Sequence, residues 1–163
     1  RGLVGAWVLN DPTSMRAWDS SPYKNHGLVT GAKGNYQERT FDGVDDKIVV
    51  LANSVLQMGT NNFTWLFSVS PTALISSYIF GSSKKAVSIY GTSGAIQIEF
   101  EGATTFQTNT GLIVAGAVNI IGITRSGDNA LIYKNGGLFQ TIINAFASGN
   151  NTTSENLIIG NNA

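Results

Sequence analysis

Phe63, Trp65, Phe67 and Val69 stand at every second position of one short run, with Thr64 and Ser68 between them. A period of two puts all four rings and branches on one face of a strand, whereas a helix would scatter them around its axis. The run from Ala95 to Glu101 repeats the device, setting Ile96, Ile98 and Phe100 against Gln97, Glu99 and Glu101. Short β-rich runs also cover Leu3 to Leu9 and residues 27–30, 47–50, 78–80, 86–90, 105–108, 119–125, 130–134, 138–143 and 156–160. Gly, Asn, Ser and Asp punctuate them, as turn residues do. Lys134-Asn135-Gly136-Gly137 predicts a tight hairpin, because Asn and Gly tolerate the positive φ such turns need. Helical spacing is confined to residues 53–58, where Ser54 would cap a single turn. Many short strands with no intervening helices predict an all-β, two-sheet antiparallel sandwich. The stretch 144–155, rich in Asn, Ser and Thr, reads as a surface loop.

Composition narrows the chemistry. Only 12% of the 163 residues are charged, so the surface must be polar without being ionic. Lys+Arg and Asp+Glu cancel at 10 each, and no basic stripe is present to neutralise phosphates, which excludes nucleic acid as a partner. The absence of Cys excludes a disulfide framework, a thiolate metal site and a Cys nucleophile. His26 is the single histidine, which excludes His-rich zinc or iron centres. It has no Gly-x-Ser-x-Gly elbow to serve. The Gly-rich stretch 91–94 lacks the Lys and helix of a phosphate loop, and Lys84-Lys85 reads as a solvated turn. The acceptor patterns at Asn62-Phe63-Thr64 and in 150–153 are what chance provides in a chain so rich in Asn and Thr. No apolar run approaches the roughly 18 residues of a membrane span. Arg1 in place of Met is expected of a processed product or a fragment.

Six segments in order carry a more specific pattern. They are Gly2-Leu3-Val4-Gly5-Ala6-Trp7-Val8-Leu9, Trp18-Asp19-Ser20-Ser21-Pro22-Tyr23-Lys24-Asn25-His26-Gly27, Phe41-Asp42-Gly43-Val44-Asp45-Asp46-Lys47-Ile48, Phe63-Thr64-Trp65, Leu131-Ile132-Tyr133-Lys134-Asn135-Gly136 and Leu157-Ile158-Ile159-Gly160-Asn161. The series resembles the laminin-G-like jelly rolls of the concanavalin A-like lectin/glucanase superfamily. The resemblance implies a single jelly-roll domain over residues 1–163, with the family's closing C-terminal strand lying beyond Ala163. Ser68 and Val118 stand where the family often has Trp. Because first and last strands of such jelly rolls lie side by side, the edge of the Leu3 to Leu9 strand is expected to be covered. Residues beyond Ala163, the 144–162 segment or a partner strand would cover it, the last through self-assembly or particle docking.

Asp19, Asn25, Asp42 and Asp45 are short oxygen-bearing side chains in two loops, and two accounts of them stand side by side. They can fasten their loops by hydrogen-bonding nearby amides, or they can hold a structural Ca²⁺, as similar jelly rolls do. Trp18, Tyr23, Asn25 and His26 suit a saccharide, which needs flat apolar faces beside amides and polar groups. Related glucanases place acidic residues at alternate positions of one strand. Here the nucleophile position of that pattern is Gln97, whose carboxamide cannot form a glycosyl ester. Gly27 and Gly43 are read as positions of positive φ. The expected function is therefore a non-catalytic module that binds glycan or a surface protein through its loops, outside the cell or on a virion surface. A structural or fibre protein of a virus particle is the alternative, and a glucanase-type hydrolase the third.

Overall fold

The computed structural model describes residues 2–13, 15–82, 85–100, 105–146 and 155–160. Glu101, Lys84 and the 150–153 acceptor patterns lie outside the described residues. Among the described residues fourteen strands run in chain order: β1 (Arg16–Ala17), β2 (Gly27–Thr30), β3 (Lys33–Gly34), β4 (Arg39–Thr40), β5 (Lys47–Val50), β6 (Phe63–Val69), β7 (Ser77–Ser82), β8 (Lys85–Tyr90), β9 (Ala95–Phe100), β10 (Phe106–Gln107), β11 (Asn119–Ser126), β12 (Asn129–Lys134), β13 (Gly137–Ile142) and β14 (Leu157–Gly160). Every pairing described below is antiparallel. The all-β class and sandwich architecture predicted from the alternation are those observed. The chain divides into two compact units, one holding β1–β5, β7 and β14, the other β6 and β8–β13.

In the first unit the sheet order is β1-β2-β5-β14-β7. Alternation turns Val29, Ile48 and Val50 inward, where Ala17, Val29, Ala32 and Ile48 form a core flanked by Trp7, Leu9, Phe41 and Ile159. Gly27 corrects an expectation. Its requirement is space rather than positive φ: a Cβ there would stand 2.4 Å from Ile48 Cγ2. Gly43 does have φ 78°. The Leu3 to Leu9 run is also corrected, since it forms an isolated bridge, Trp7 to Asp19, instead of a regular strand. Its partner there is a side chain as much as a backbone: the Asp19 carboxylate accepts the Ala6 N–H, and the Trp7 ring folds against Gly5. The single helical turn is a 3₁₀ turn, Ser54–Leu56, whose cap is Asn53 rather than Ser54, with the Asn53 carboxamide oxygen accepting the Val55 N–H.

The second unit pairs four strands in the order β13-β12-β11-β6 and three in the order β8-β9-β10. Ile121, Ile123, Ala130 and Ile132 of the former, and Val87, Ile89, Ile96, Ile98 and Phe106 of the latter, are buried. Phe146 meets both groups, with its ring centroid 5.7 Å from Phe63 on β6 and 5.2 Å from Phe106 on β10. Of the stretch predicted as surface loop, 147–154 lie outside the described residues, and near its start Ala145 and Phe146 are buried. A lone aromatic in a polar run carries no period, so alternation had no means of marking it. Arg125 caps this ring at 5.1 Å and donates to the carbonyls of Gly59, Gly127 and Phe146, which together replace the water it loses on burial. The predicted hairpin is present, with Asn135 and Gly136 at φ 50° and 86°.

Candidate ligand-binding site

Alternation along β1 and its continuation sends Ala17 and Asp19 inward and leaves Trp18 between them pointing out, half exposed. Asp19 organises everything around that indole. One carboxylate oxygen accepts the N–H groups of Ala6 and Ser21, each at 2.8 Å. The other accepts the Ser21 hydroxyl at 2.7 Å and the Asn25 N–H at 2.8 Å. Burial, the largest influence, pushes this carboxyl upward, but the hydrogen bonds to Ser21, Ala6 and Asn25 outweigh it and hold its pKa below the usual value. The Asp19 N–H donates in turn to His26 Nδ1 at 3.0 Å, and the imidazole edge meets the Trp18 ring at 4.8 Å. The Arg16 guanidinium stands 5.9 Å from the same ring.

Asn25 lies beneath this surface, 8% exposed. Its Nδ2 donates to the Val4 carbonyl, its Oδ1 accepts from Asn53 Nδ2, and its own carbonyl accepts the Trp7 indole N–H. With both neighbours fastened, Lys24 is held at φ 53°, a left-handed conformation that a lysine reaches only under constraint.

Trp18, His26, Lys24, Ser20, Asn10 and Asp11 line a shallow depression of ≈ 560 Å³. Of the four residues expected to bind, Trp18 and His26 line it, Asn25 supports it from below, and Tyr23 is exposed outside its lining. Asn10 and Asp11 were missed because they lie outside the Trp18 to Gly27 motif, in a stretch with no period or turn signature that points to the indole. The β3–β4 hairpin holds them there: Arg39 donates to the Asp11 carbonyl at 2.8 Å, and Gly34 packs against the same oxygen.

Asp19 and Asn25 are taken up by these hydrogen bonds. Among the described residues the group of three carboxylates close enough to share an ion is Asp42, Asp45 and Asp46, within 4.8 Å of one another. Asp42 accepts the N–H groups of Val44 and Asp45, while its own N–H donates to Asp46. The Val44 N–H is the main reason that the Asp42 pKa lies below the usual value. On β9, Gln97 and Glu99 share the outward face as expected, hydrogen-bonded to each other and joined by Gln107.

No family model matches the chain, and no curated protein does either. Solved structures do share its fold. The binding domain of Paraclostridial Mosquitocidal Protein 1 superposes with a TM-score of 0.72 at 14% identity, over 94% of this chain and 43% of that one. The ligand-binding domain of botulinum neurotoxin serotype D, solved with N-acetylneuraminic acid, gives 0.71 at 14% identity, over 96% and 42%. A Trypanosoma rangeli sialidase mutant displaying trans-sialidase activity gives 0.62 at 16% identity, over 98% and 27%. The chain spans less than half the length of each of these.

Proposed function

We propose that this chain is a non-catalytic glycan-recognition module whose ligand seats on Trp18. The observation that carries the proposal is the half-exposed indole, fixed by His26 and by the Asp19 loop at the wall of a depression with amide, hydroxyl, ammonium and carboxylate groups around it. An indole face takes the C–H surface of a pyranose, and the polar rim takes its hydroxyls. Sialylated oligosaccharides are the first probe, because the botulinum serotype D domain of similar fold was solved with N-acetylneuraminic acid. Binding to a glycan array, followed by calorimetry on the best ligand, tests the proposal. Trp18→Ala is expected to weaken binding at least about tenfold, a loss of roughly 1.4 kcal/mol, while leaving the melting temperature unchanged. Binding that survives Trp18→Ala removes the site.

Calcium is the finer expectation for the Asp42 turn, with Asp42 and Asp45 kept and Asp46 in place of Asp19 and Asn25. Saturating calcium is then expected to raise the melting midpoint relative to a chelator, and an unchanged midpoint removes the ion from the scheme.

A further inference from the structure

The polar groups around the Trp18 depression divide unevenly into donors and acceptors. Both carboxylates at its wall are engaged. Asp19 is 2% exposed and accepts from four donors, and Asp11 Oδ1 accepts the N–H and the hydroxyl of Thr13. The Ser20 hydroxyl donates to the Ala6 carbonyl. The donors are not matched in this way. His26 Nδ1 accepts the Asp19 N–H, and since a backbone amide can only donate, the neutral ring carries its proton on Nε2. Among the described residues the Lys24 ammonium has neither an ion pair nor a hydrogen bond. The backbone beneath it is fastened, with the Lys24 N–H donating to the Ser21 carbonyl and the Lys24 carbonyl accepting the His26 N–H. At φ 53° this lysine has the kind of backbone conformation that gathers where proteins clamp ligands. Arg16, 5.9 Å from the indole, adds a second positive charge.

We infer that the ligand of this depression is an acidic saccharide. Its anionic oxygen group, a carboxylate or a sulfate ester, is received by Lys24 Nζ and His26 Nε2–H while its ring lies on Trp18. This specificity rests on the glycan-recognition role of the same site. An anionic oxygen group only accepts, so it meets the donors that the fold leaves unanswered. Hydrogen bonds to such a group are roughly twice as strong as those between neutral partners. Each hydroxyl of a neutral sugar instead brings a proton that needs an acceptor, and the carboxylates nearby are engaged.

A glycan array carrying each oligosaccharide core unmodified, sialylated and sulfated, with calorimetry on the best-bound set, reads the preference directly. The sialylated or the sulfated form is expected to bind at least about tenfold tighter than its own core, and which of the two does so identifies the anionic group. Lys24→Asn, with a side chain that tolerates positive φ, is expected to shrink that ratio to about threefold or less. Raising salt from about 50 to about 500 mM is expected to weaken the acidic form at least about threefold and to move the core far less. A core bound as tightly as its acidic forms, with binding still lost in Trp18→Ala, overturns the acidic class and leaves the glycan module standing. A preference undiminished in Lys24→Asn, or insensitive to salt, also overturns it. Absence of binding to every form overturns both.

Discussion

Asp19→Ala is expected to destabilise the chain by about 3 kcal/mol, because four donors lose their acceptor and three of them are main-chain amides that cannot turn away. In a chain of this length that lowers the melting midpoint by roughly 6–12 °C. Asp19→Asn is expected to fall nearly as far, since its NH₂ group must face donors. Calorimetric or circular-dichroism melts read both. The same carboxylate sets a pH dependence. Its pKa is lowered in the folded chain, so its contribution is present above the unfolded value of 3.8 and disappears as pH falls through the folded one. Asp42 adds a dependence of the same sign from a solvent-exposed turn. The midpoint of the unmodified chain should therefore drop on acidification below the ordinary carboxylate range, and the Asp19→Ala curve should drop less. A variant that melts like the parent at neutral pH would show that the loop finds its acceptors elsewhere.

The largest effect is expected at Asn119. It is 1% exposed, its Oδ1 accepts the Val114 N–H, and its Nδ2 faces the carbonyls of Val69, Val114 and Ala117 at 2.8–3.3 Å. Asn119→Asp keeps the shape and replaces that donor with an anion pressed against three carbonyl oxygens. At neutral pH the variant is expected to lose more than about 4 kcal/mol or fail to fold. Acid is expected to restore part of the loss, since a protonated carboxyl can donate one bond, so its stability changes with pH in the opposite sense to the parent's. Folding at neutral pH with parental stability would mean that the 114–119 loop does not depend on this side chain.

The residues that were legible in the sequence are those with a period or a turn signature. β2, β5 and β6 have the expected bounds, and β8, β11, β12 and β13 differ by a residue at one or both ends, because alternating burial and Gly or Asn punctuation are local signals. Asp19, Trp18 and His26 were found because they crowd one short loop. Asn10 and Asp11 reach the same depression only through Arg39 and Gly34 on a hairpin of two-residue strands, too short to show alternation. Leu3 to Leu9 looks like a strand by composition, yet the Asp19 carboxylate competes for its amides. Phe146 was hidden by its polar neighbours.

β14 lies between β5 and β7, hydrogen-bonded to both, although it is the last strand described. A ribosome releases the chain from its N-terminus, so β5 and β7 emerge long before the strand that separates them. Until β14 emerges, the first unit has a vacant lane in mid-sheet, bordered by two open edges of a kind that recruit stray strands. Completion must wait until β14 has been made, and it proceeds through pairings between segments far apart in sequence, a slow class of folding step. Any polypeptide that ends before Leu157 is left with the lane empty, a defect more severe than the loss of four residues would suggest. A free peptide with the sequence of β14 would address the same vacancy from outside, which makes this strand the natural point at which to split the chain into two complementing pieces.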